Sequence, residues 1–354
     1  TNIYYCQTIN NDGQIIGKVS CNCVDSTQCV GAEPLVCQMP TPVLSGDLST
    51  CLSCADADFG MPYWDGNSCV DECPADKPVA DDGVCVVNCP ENKPFIDEGI
   101  CLAVCPADKP FSNDGVCVAT CPENTTSIDN MCLSETAQSC YTAMSLAEFS
   151  IDNFTMQGVT IKYTGDMVIR NSLDISGCNL EVAGTLGVDS GKTLTVNNVK
   201  AESISDYGIN NYGTIKANNA SGTSKSDYGI NNYGTIEANS VSGTSESKAG
   251  INNYGTIEAN NVSGTSKSEV GINNYGTIEA NSVSGTSENG NGIDNYDTID
   301  ANNVSGTSEN GNGIENRHII KGQNIYYCKT INNTGQISGS ISCNCVDNTQ
   351  CAGT

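Results

Sequence analysis

A 21-residue repeat dominates the middle of this chain and limits what it can fold into. GINNYGTIKANNASGTSKSDY stands at 208–228 and recurs four times through Asn312, followed by a partial copy, GIENRHIIKG. Diverged copies lie upstream. Residues 187–207 keep Val188, Leu194, Val196 and Val199 at the apolar positions, and residues 166–186 keep Met167, Leu173, Ile175 and Cys178. Periods of this length mark solenoids, propellers or arrays. Gly, Asn, Ser and Thr fill the unit, and they are poor helix interiors, so helical repeats are excluded. The leucine pattern of leucine-rich repeats is missing. Apolar residues alternate and then shift across a bend, as in Ile257, Ala259 and Val262, which predicts short strands. One unit is close to one turn of a three-faced, right-handed parallel β-helix.

Rungs of such a helix lie about 4.8 Å apart, so every repeated residue becomes a column. Ile209, Ile230, Ile251, Ile272, Ile293 and Ile314 form one inward column; Ile215, Ile236, Ile257, Ile278, Ile299 and Ile320 form another. Counting by twos places Asn211, Asn232, Asn253, Asn274 and Asn295 inside, where stacked amides can bond along the axis. Tyr212, Tyr233, Tyr254, Tyr275 and Tyr296 then point outward as an aromatic ladder, a candidate carbohydrate or packing surface, although a ladder whose rings simply cover their rung neighbours is the preferred reading. Glu237, Glu258, Glu279 and Asp300 align after Lys216. Like charges at that spacing repel by roughly 1 kcal/mol per pair in water. The column is a candidate Ca2+ site, although a solvated acidic stripe is the preferred reading. N-glycosylation sequons occur at Asn124, Asn153, Asn219, Asn261, Asn303 and Asn332. Three of them recur every second rung, which predicts a glycan column of roughly 10 Å spacing.

The cysteines follow a different plan. Of 22, 17 lie from Cys6 to Cys140, and none lies between Cys178 and Cys328. This density belongs to oxidising, extracellular settings. From Cys69 the spacing alternates C-x3-C with C-x11-C through Cys121, and the last loop, to Cys132, is one residue shorter. Each loop opens Cys-Pro, and most close after a hairpin turn such as Asp82-Gly83 or Asp114-Gly115. Residues 37–132 thus resemble the furin-like cysteine-rich repeats of growth-factor receptors and protist surface antigens. The resemblance implies that each loop closes on itself, pairing Cys73–Cys85, Cys89–Cys101, Cys105–Cys117 and Cys121–Cys132. It extends to Cys54–Cys69 and Cys37–Cys51. Each such bridge contributes about 3 kcal/mol in place of a core. A spacer is preferred over a receptor-type ligand platform. In general architecture, residues 145–322 are similar to β-helical adhesins and surface-layer proteins. Cys140 and Cys178 are left over; they either pin the solenoid's N-terminal cap or leave Cys178 a buried thiol.

A third repeat spans the chain. NIYYCQTINNDGQIIGKVSCNCVDSTQCVG at 2–31 returns without gaps as NIYYCKTINNTGQISGSISCNCVDNTQCAG at 324–353. Cys6, Cys21, Cys23 and Cys29 coincide with Cys328, Cys343, Cys345 and Cys351. A tandem array is the preferred explanation, and matching end modules are the alternative.

Net charge is −26 with only 15 Lys and Arg, which argues against nucleic acid and anionic membranes as partners. No apolar run approaches the ~20 residues of a membrane helix. The single histidine, His318, reads as structural, and the acids stand in columns with no unique cluster, so neither an enzyme nor a cofactor is expected. The expected organisation is all-β: a four-cysteine module (1–31), furin-like repeats (32–135), a parallel β-helix (136–322) and a second four-cysteine module (323–354). The expected role is a structural subunit of an extracellular filament, appendage or cell-surface coat. Its partners would be copies of itself and N-linked glycans. The alternative is a glycan- or ligand-binding adhesin.

Overall fold

A computed structural model describes residues 2–5, 18–21, 43–44, 51–56, 60–90, 92–147, 149 and 153–345. Two compact units result, 1–123 with 129–132, and 124–128 with 133–354. Both are built almost wholly of strands; the described residues hold one helix, Glu135–Leu146.

In the first unit, successive two-stranded hairpins between Tyr63 and Val118 line up side by side in one sheet. Within each hairpin the pairing is antiparallel, as in Val79–Asp81 with Val84–Val86. Between hairpins a single parallel bridge suffices: Trp64 with Val84, Ala80 with Ile100, Ile96 with Val116, Ser112 with Met131. A disulfide closes each hairpin loop: Cys54–Cys69, Cys73–Cys85, Cys89–Cys101, Cys105–Cys117 and Cys121–Cys132. Cys37 lies outside the described residues, and so does its expected pairing with Cys51.

The hairpin turns follow from their chemistry. Both central residues adopt positive φ, Glu98 at 49° with Gly99 at 80° and Asp114 at 53° with Gly115 at 86°. That is the primed turn whose twist matches a hairpin. The glycine carbonyl is then free to accept from the previous hairpin, as Gly99 O does from Ala80 N at 2.7 Å. Lysines add a second link. Lys93 Nζ reaches Asp81 at 2.8 Å and Asp82 at 2.6 Å, and Lys109 does the same to Asp97 and Glu98. Gly99→Val should cost the hairpin about 1–2 kcal/mol, the left-handed backbone penalty of a side chain. The check is dithiothreitol kinetics: Cys89–Cys101 should reduce faster while Cys73–Cys85 keeps its rate.

The second unit is a β-solenoid. Its strands gather into an eleven-stranded and a nine-stranded sheet. Within the repeats each rung gives one short strand, such as Ile251–Asn253, and one eleven-residue strand, such as Thr256–Ser266. From Ile209 to Ile314 the pairs between successive rungs are parallel and in register at the 21-residue step, whereas the upstream short strands step by 19, Met167↔Leu186, and then by 23, Leu186↔Ile209. The expected three faces survive inside two sheets. The long strand bends at its middle: pairing runs Ala217↔Ala238 and resumes at Asn219↔Ser240. Before the bend Ile215 points inward; after it Ala220 and Ser224 do. That shift lets one strand turn a corner without losing its inward side chains.

The inward apolar columns are closed to solvent. Ile209 through Ile314, Ile215 through Ile320, and Val241, Val262, Val283 and Val304 are all buried. Upstream, Met167, Leu173, Ile175, Val188, Leu194, Val196 and Val199 continue them. The N-terminal end is covered. Ser134 caps the helix by accepting from Ala137 N at 3.3 Å. Ala137, Cys140, Tyr141 and Met144 form its buried stripe, the spacing of one helical face. A disulfide joins Cys140 to Cys178, which is buried on the first long strand.

The other end departs from the sequence reading. The sequence ends the β-helix at 322 and marks 323–354 as a second four-cysteine module; the described part of that module continues the solenoid. Asn324–Tyr327 belongs to the strand Ile319–Tyr327, which pairs with Gln336–Cys343, and Ile331–Asn333 pairs with Ile314–Asn316. This last rung has a step of 17 residues, from Ile314 to Ile331. Its shorter turn is closed by Cys328–Cys345. The physical reason is that INN at 331–333 and QIS at 336–338 reproduce the inward pattern of the longer repeats.

Candidate functional site: the ladders of the solenoid

What the repeat presents is not a cleft but a set of columns, each of one residue type. The innermost is the asparagine column. Asn211 Nδ2 donates to Asn232 Oδ1 at 2.7 Å, and the chain of donation continues through Asn253, Asn274, Asn295 and Asn316 to Asn333. Each amide also donates to a carbonyl two residues on and to one in the next rung, as Asn253 does to Gly255 O and Thr277 O. The residues Asn211 through Asn316 are fully buried. Every donor points toward the C-terminal end, so the ladder is polar.

A second amide column runs beside it in the opposite sense. Asn231 donates to Asn210, Asn252 to Asn231 and Asn273 to Asn252. The next rungs replace the amide with Asp294 and Glu315. A carboxylate has no N–H to give, so Asn273 Oδ1 is left buried without a hydrogen-bond partner. Burial raises the Asp294 pKa, against the opposing bond from Asn291 Nδ2. A raised folded-state pKa means the acid form favours the folded state. Solenoid stability should therefore rise as pH falls through the raised Asp294 pKa toward 3.8. Asp294→Asn restores the missing donor and should add about 1 kcal/mol at pH 7. Urea unfolding at pH 7 and pH 4 checks this: the gain should shrink at the lower pH.

Serine forms a third column that sequence reasoning missed. Ser245 Oγ donates to Asp227 O at 2.6 Å in the rung below and accepts from Lys248 N at 2.9 Å in its own turn. Ser224, Ser266, Ser287 and Ser308 repeat the bridge. The signal was present in the invariant Gly-Thr-Ser of each copy, but alternation alone does not distinguish a bridging serine from a surface one.

On the outside, the tyrosines stand in the expected outward column, each ring stacked on the next rung's ring. Rings of Tyr212, Tyr233, Tyr254 and Tyr275 lie 4.8–4.9 Å apart and within 5° of parallel. Tyr296 follows at 4.4 Å, and Arg317 covers its far face at 4.3 Å. Ring faces are thus taken by neighbouring rings, and the solvent meets edges and hydroxyls. A sugar that stacks on an aromatic face finds most of these faces occupied. The acidic column runs Lys216, Glu237, Glu258, Glu279, Asp300, Lys321 in register. Lysines close it at both ends, Lys216 on Glu237 at 2.8 Å and Lys321 on Asp300 at 3.5 Å. Among the described residues, no three His, Cys, Asp or Glu side chains converge as a metal-ligand set. His318 Nδ1 sits 3.3 Å from Asp297 on the exposed turn of the penultimate rung.

The sequon asparagines all reach the surface. Asn124, Asn153, Asn219, Asn261 and Asn332 are exposed and Asn303 is half-exposed. Asn219, Ser240, Asn261, Ser282 and Asn303 share one column, so the three repeat sequons stand on one face, two rungs apart.

The geometry defines a class: a disulfide-rich stack of hairpins followed by a β-solenoid. The disulfides mark an oxidising environment, and among the described residues no helix is long and apolar enough to cross a membrane. No protein-family profile, characterised protein or solved structure matches the chain.

Proposed function

We propose that this protein is a structural subunit of an extracellular filament, appendage or cell-surface coat that associates with copies of itself. The observation carrying this reading is the solenoid's asymmetry. Its N-terminal end is covered by a helix, while at its C-terminal end the core columns surface. Ile331 and Ile337 are half-buried and Ile341 is 44% exposed, whereas every earlier isoleucine of those columns is buried. Apolar column ends at the surface of the last described rung favour contact with another chain. The disulfide hairpins support a secreted spacer of the furin-like kind, as on microbial eukaryote surfaces. The exposed sequons support N-linked glycans along one face.

Sedimentation velocity of the secreted, glycosylated chain tests the reading. Association that grows with concentration is expected, and a single monomeric species up to 100-fold concentration overturns it. Intact mass before and after glycosidase treatment should show losses attributable to Asn219, Asn261 and Asn303. The adhesin reading loses its aromatic platform, because the Tyr faces are engaged with one another.

A further inference from the structure

The tyrosine column carries chemistry that stacking alone does not use. Tyr212, Tyr233, Tyr254 and Tyr275 are 48%, 46%, 45% and 36% exposed. Among the described residues they are the only exposed tyrosines; Tyr63, Tyr207, Tyr228, Tyr296 and Tyr326 are half-buried, and Tyr141, Tyr163 and Tyr327 are buried. Because neighbouring rings take up the faces, the part of each ring that meets solvent is its edge, with the hydroxyl and the carbons ortho to it. Those are the atoms at which a phenol is oxidised and coupled.

We propose that Tyr212, Tyr233, Tyr254 and Tyr275 are oxidative cross-linking sites, joined through ortho–ortho dityrosine bonds to the same strip of a second copy by a peroxidase-type enzyme and hydrogen peroxide. This inference rests on the self-association reading and gives it a covalent fastening.

The reaction balances as follows. Each phenol gives up one electron and its hydroxyl proton and becomes a phenoxyl radical. Two radicals join ortho carbon to ortho carbon, and the hydrogen on each joined carbon moves to its oxygen, which restores both phenols. Hydrogen peroxide accepts the two electrons and two protons and leaves as two waters.

The ladder's own geometry decides which rings can meet. Centroids of successive rings lie 4.8–4.9 Å apart and the planes are within 5° of parallel. A biaryl bond of roughly 1.5 Å lies in the plane of both rings at its origin. Rings stacked on parallel planes point their edges outward side by side, never at one another. Coupling within the ladder is therefore blocked while the rungs stay paired, and a second chain must bring the other edge.

Two observations favour a copy of this chain as that partner. The first is charge. In a chain of net charge −26, the segments 209–214, 230–235, 251–256 and 272–277 all read INNYGT and hold no charged residue. Charge returns in the next two rungs, at Asp294 and Asp297 and then at Glu315 and Arg317. The neutral strip thus coincides with the four exposed rings, and two such strips meet without local like charge. The second is period. Each strip repeats at the rung spacing of about 4.8 Å, so two copies that slip by any whole number of rungs again bring ring edge to ring edge. A strip that meets itself is an isologous contact, which joins copies in pairs, side by side.

Tyr296 is set apart from the other four. It is half-buried, and the Arg317 guanidinium lies 4.3 Å from its ring centroid. A cation over the ring is stabilised by the ring's electrons and opposes the removal of one, so oxidation is directed to the exposed rings further down the ladder.

The test treats the full chain with horseradish peroxidase and hydrogen peroxide, after sedimentation velocity has recorded its association state. Dityrosine fluorescence should appear together with a dimer that survives reduction and denaturation. Fragmentation mass mapping should place the links at Tyr212, Tyr233, Tyr254 and Tyr275 and leave Tyr296 unlinked. The combined variant Tyr212→Phe, Tyr233→Phe, Tyr254→Phe and Tyr275→Phe keeps the stacked rings and removes the oxidisable hydroxyls. It should keep the parent's circular dichroism and sedimentation and lose nearly all of the reduction-resistant dimer. A folded variant that cross-links as well as the parent would overturn the assignment, and so would links between successive rungs of one chain. A parent that associates but gives no reduction-resistant dimer would overturn the cross-link and leave self-association standing. Links at these four tyrosines in a parent that sediments as a monomer would support the sites through collision and remove the self-association reading.

Discussion

Asn253→Ala is expected to cost the solenoid about 4 kcal/mol, because several buried polar groups lose a partner at once. Asn253 is fully buried. It accepts from Asn232 at 2.8 Å and donates to Asn274 Oδ1 at 2.8 Å, Thr277 O at 3.1 Å and Gly255 O at 3.2 Å. Alanine fills none of these roles and opens a void between rungs. Asn253→Asp keeps the shape but removes the donors and buries a charge. It should be at least as damaging at pH 7 and should recover part of the loss on acidification, when the carboxyl regains a proton to donate. Urea unfolding followed by circular dichroism at pH 7 and pH 4 checks both. Because each rung touches only its neighbours, the loss should appear as a split transition rather than a uniform shift. Hydrogen exchange should locate the opening at 232–277.

Gly255→Val should be comparably destructive for an unrelated reason. A Cβ at Gly255 would lie 2.0 Å from Gly234 O and 2.8 Å from the Tyr233 carbonyl carbon. Those are backbone atoms of the rung below, already bonded, and no rotamer change relieves them. The expected cost is beyond about 3 kcal/mol, the upper range of overpacking, with loss of amide protection on both adjoining rungs. Gly191→Ala is the control. It has positive φ but nothing within 4 Å of the added atom, so it should cost only about 1 kcal/mol. If both substitutions cost the same, close approach between rungs is not what holds glycine at position 255.

Much of this architecture was readable because repetition turns a local pattern into a spatial one. The inward isoleucines, the buried Asn211 column and the outward Tyr212 column follow from a strand's two-residue alternation stacked at a 21-residue step. The loops from Cys73 to Cys132 were readable through their resemblance to furin-like repeats, which implies that each C-x11-C loop closes on itself. What alternation could not supply was anything set by the neighbouring rung's atoms. Ser245 and a surface serine look alike until Asp227 O is placed below one of them. The direction of each amide ladder is likewise invisible in a string of identical Asn residues, and so is the orphaned Asn273 Oδ1 beneath Asp294. The helix at 135–146 was legible in principle, from Ser134 and the stripe Ala137, Cys140, Tyr141, Met144, but the surrounding strand-forming composition masked it.

By itself, then, the sequence determined the period and the columns, since each depends on spacing along the chain and on side-chain type, and the stapled loops were what its resemblance to furin-like repeats implied. Only the tertiary structure decided that residues 324–343 extend the solenoid rather than stand apart from it. That outcome depends on whether the rung beneath offers a matching edge, Asn303–Gly306 and Ile314–Asn316, and an edge is a property of folded backbone, not of residue identity. The same decision left one end covered by a helix and the other with Ile341 at the surface.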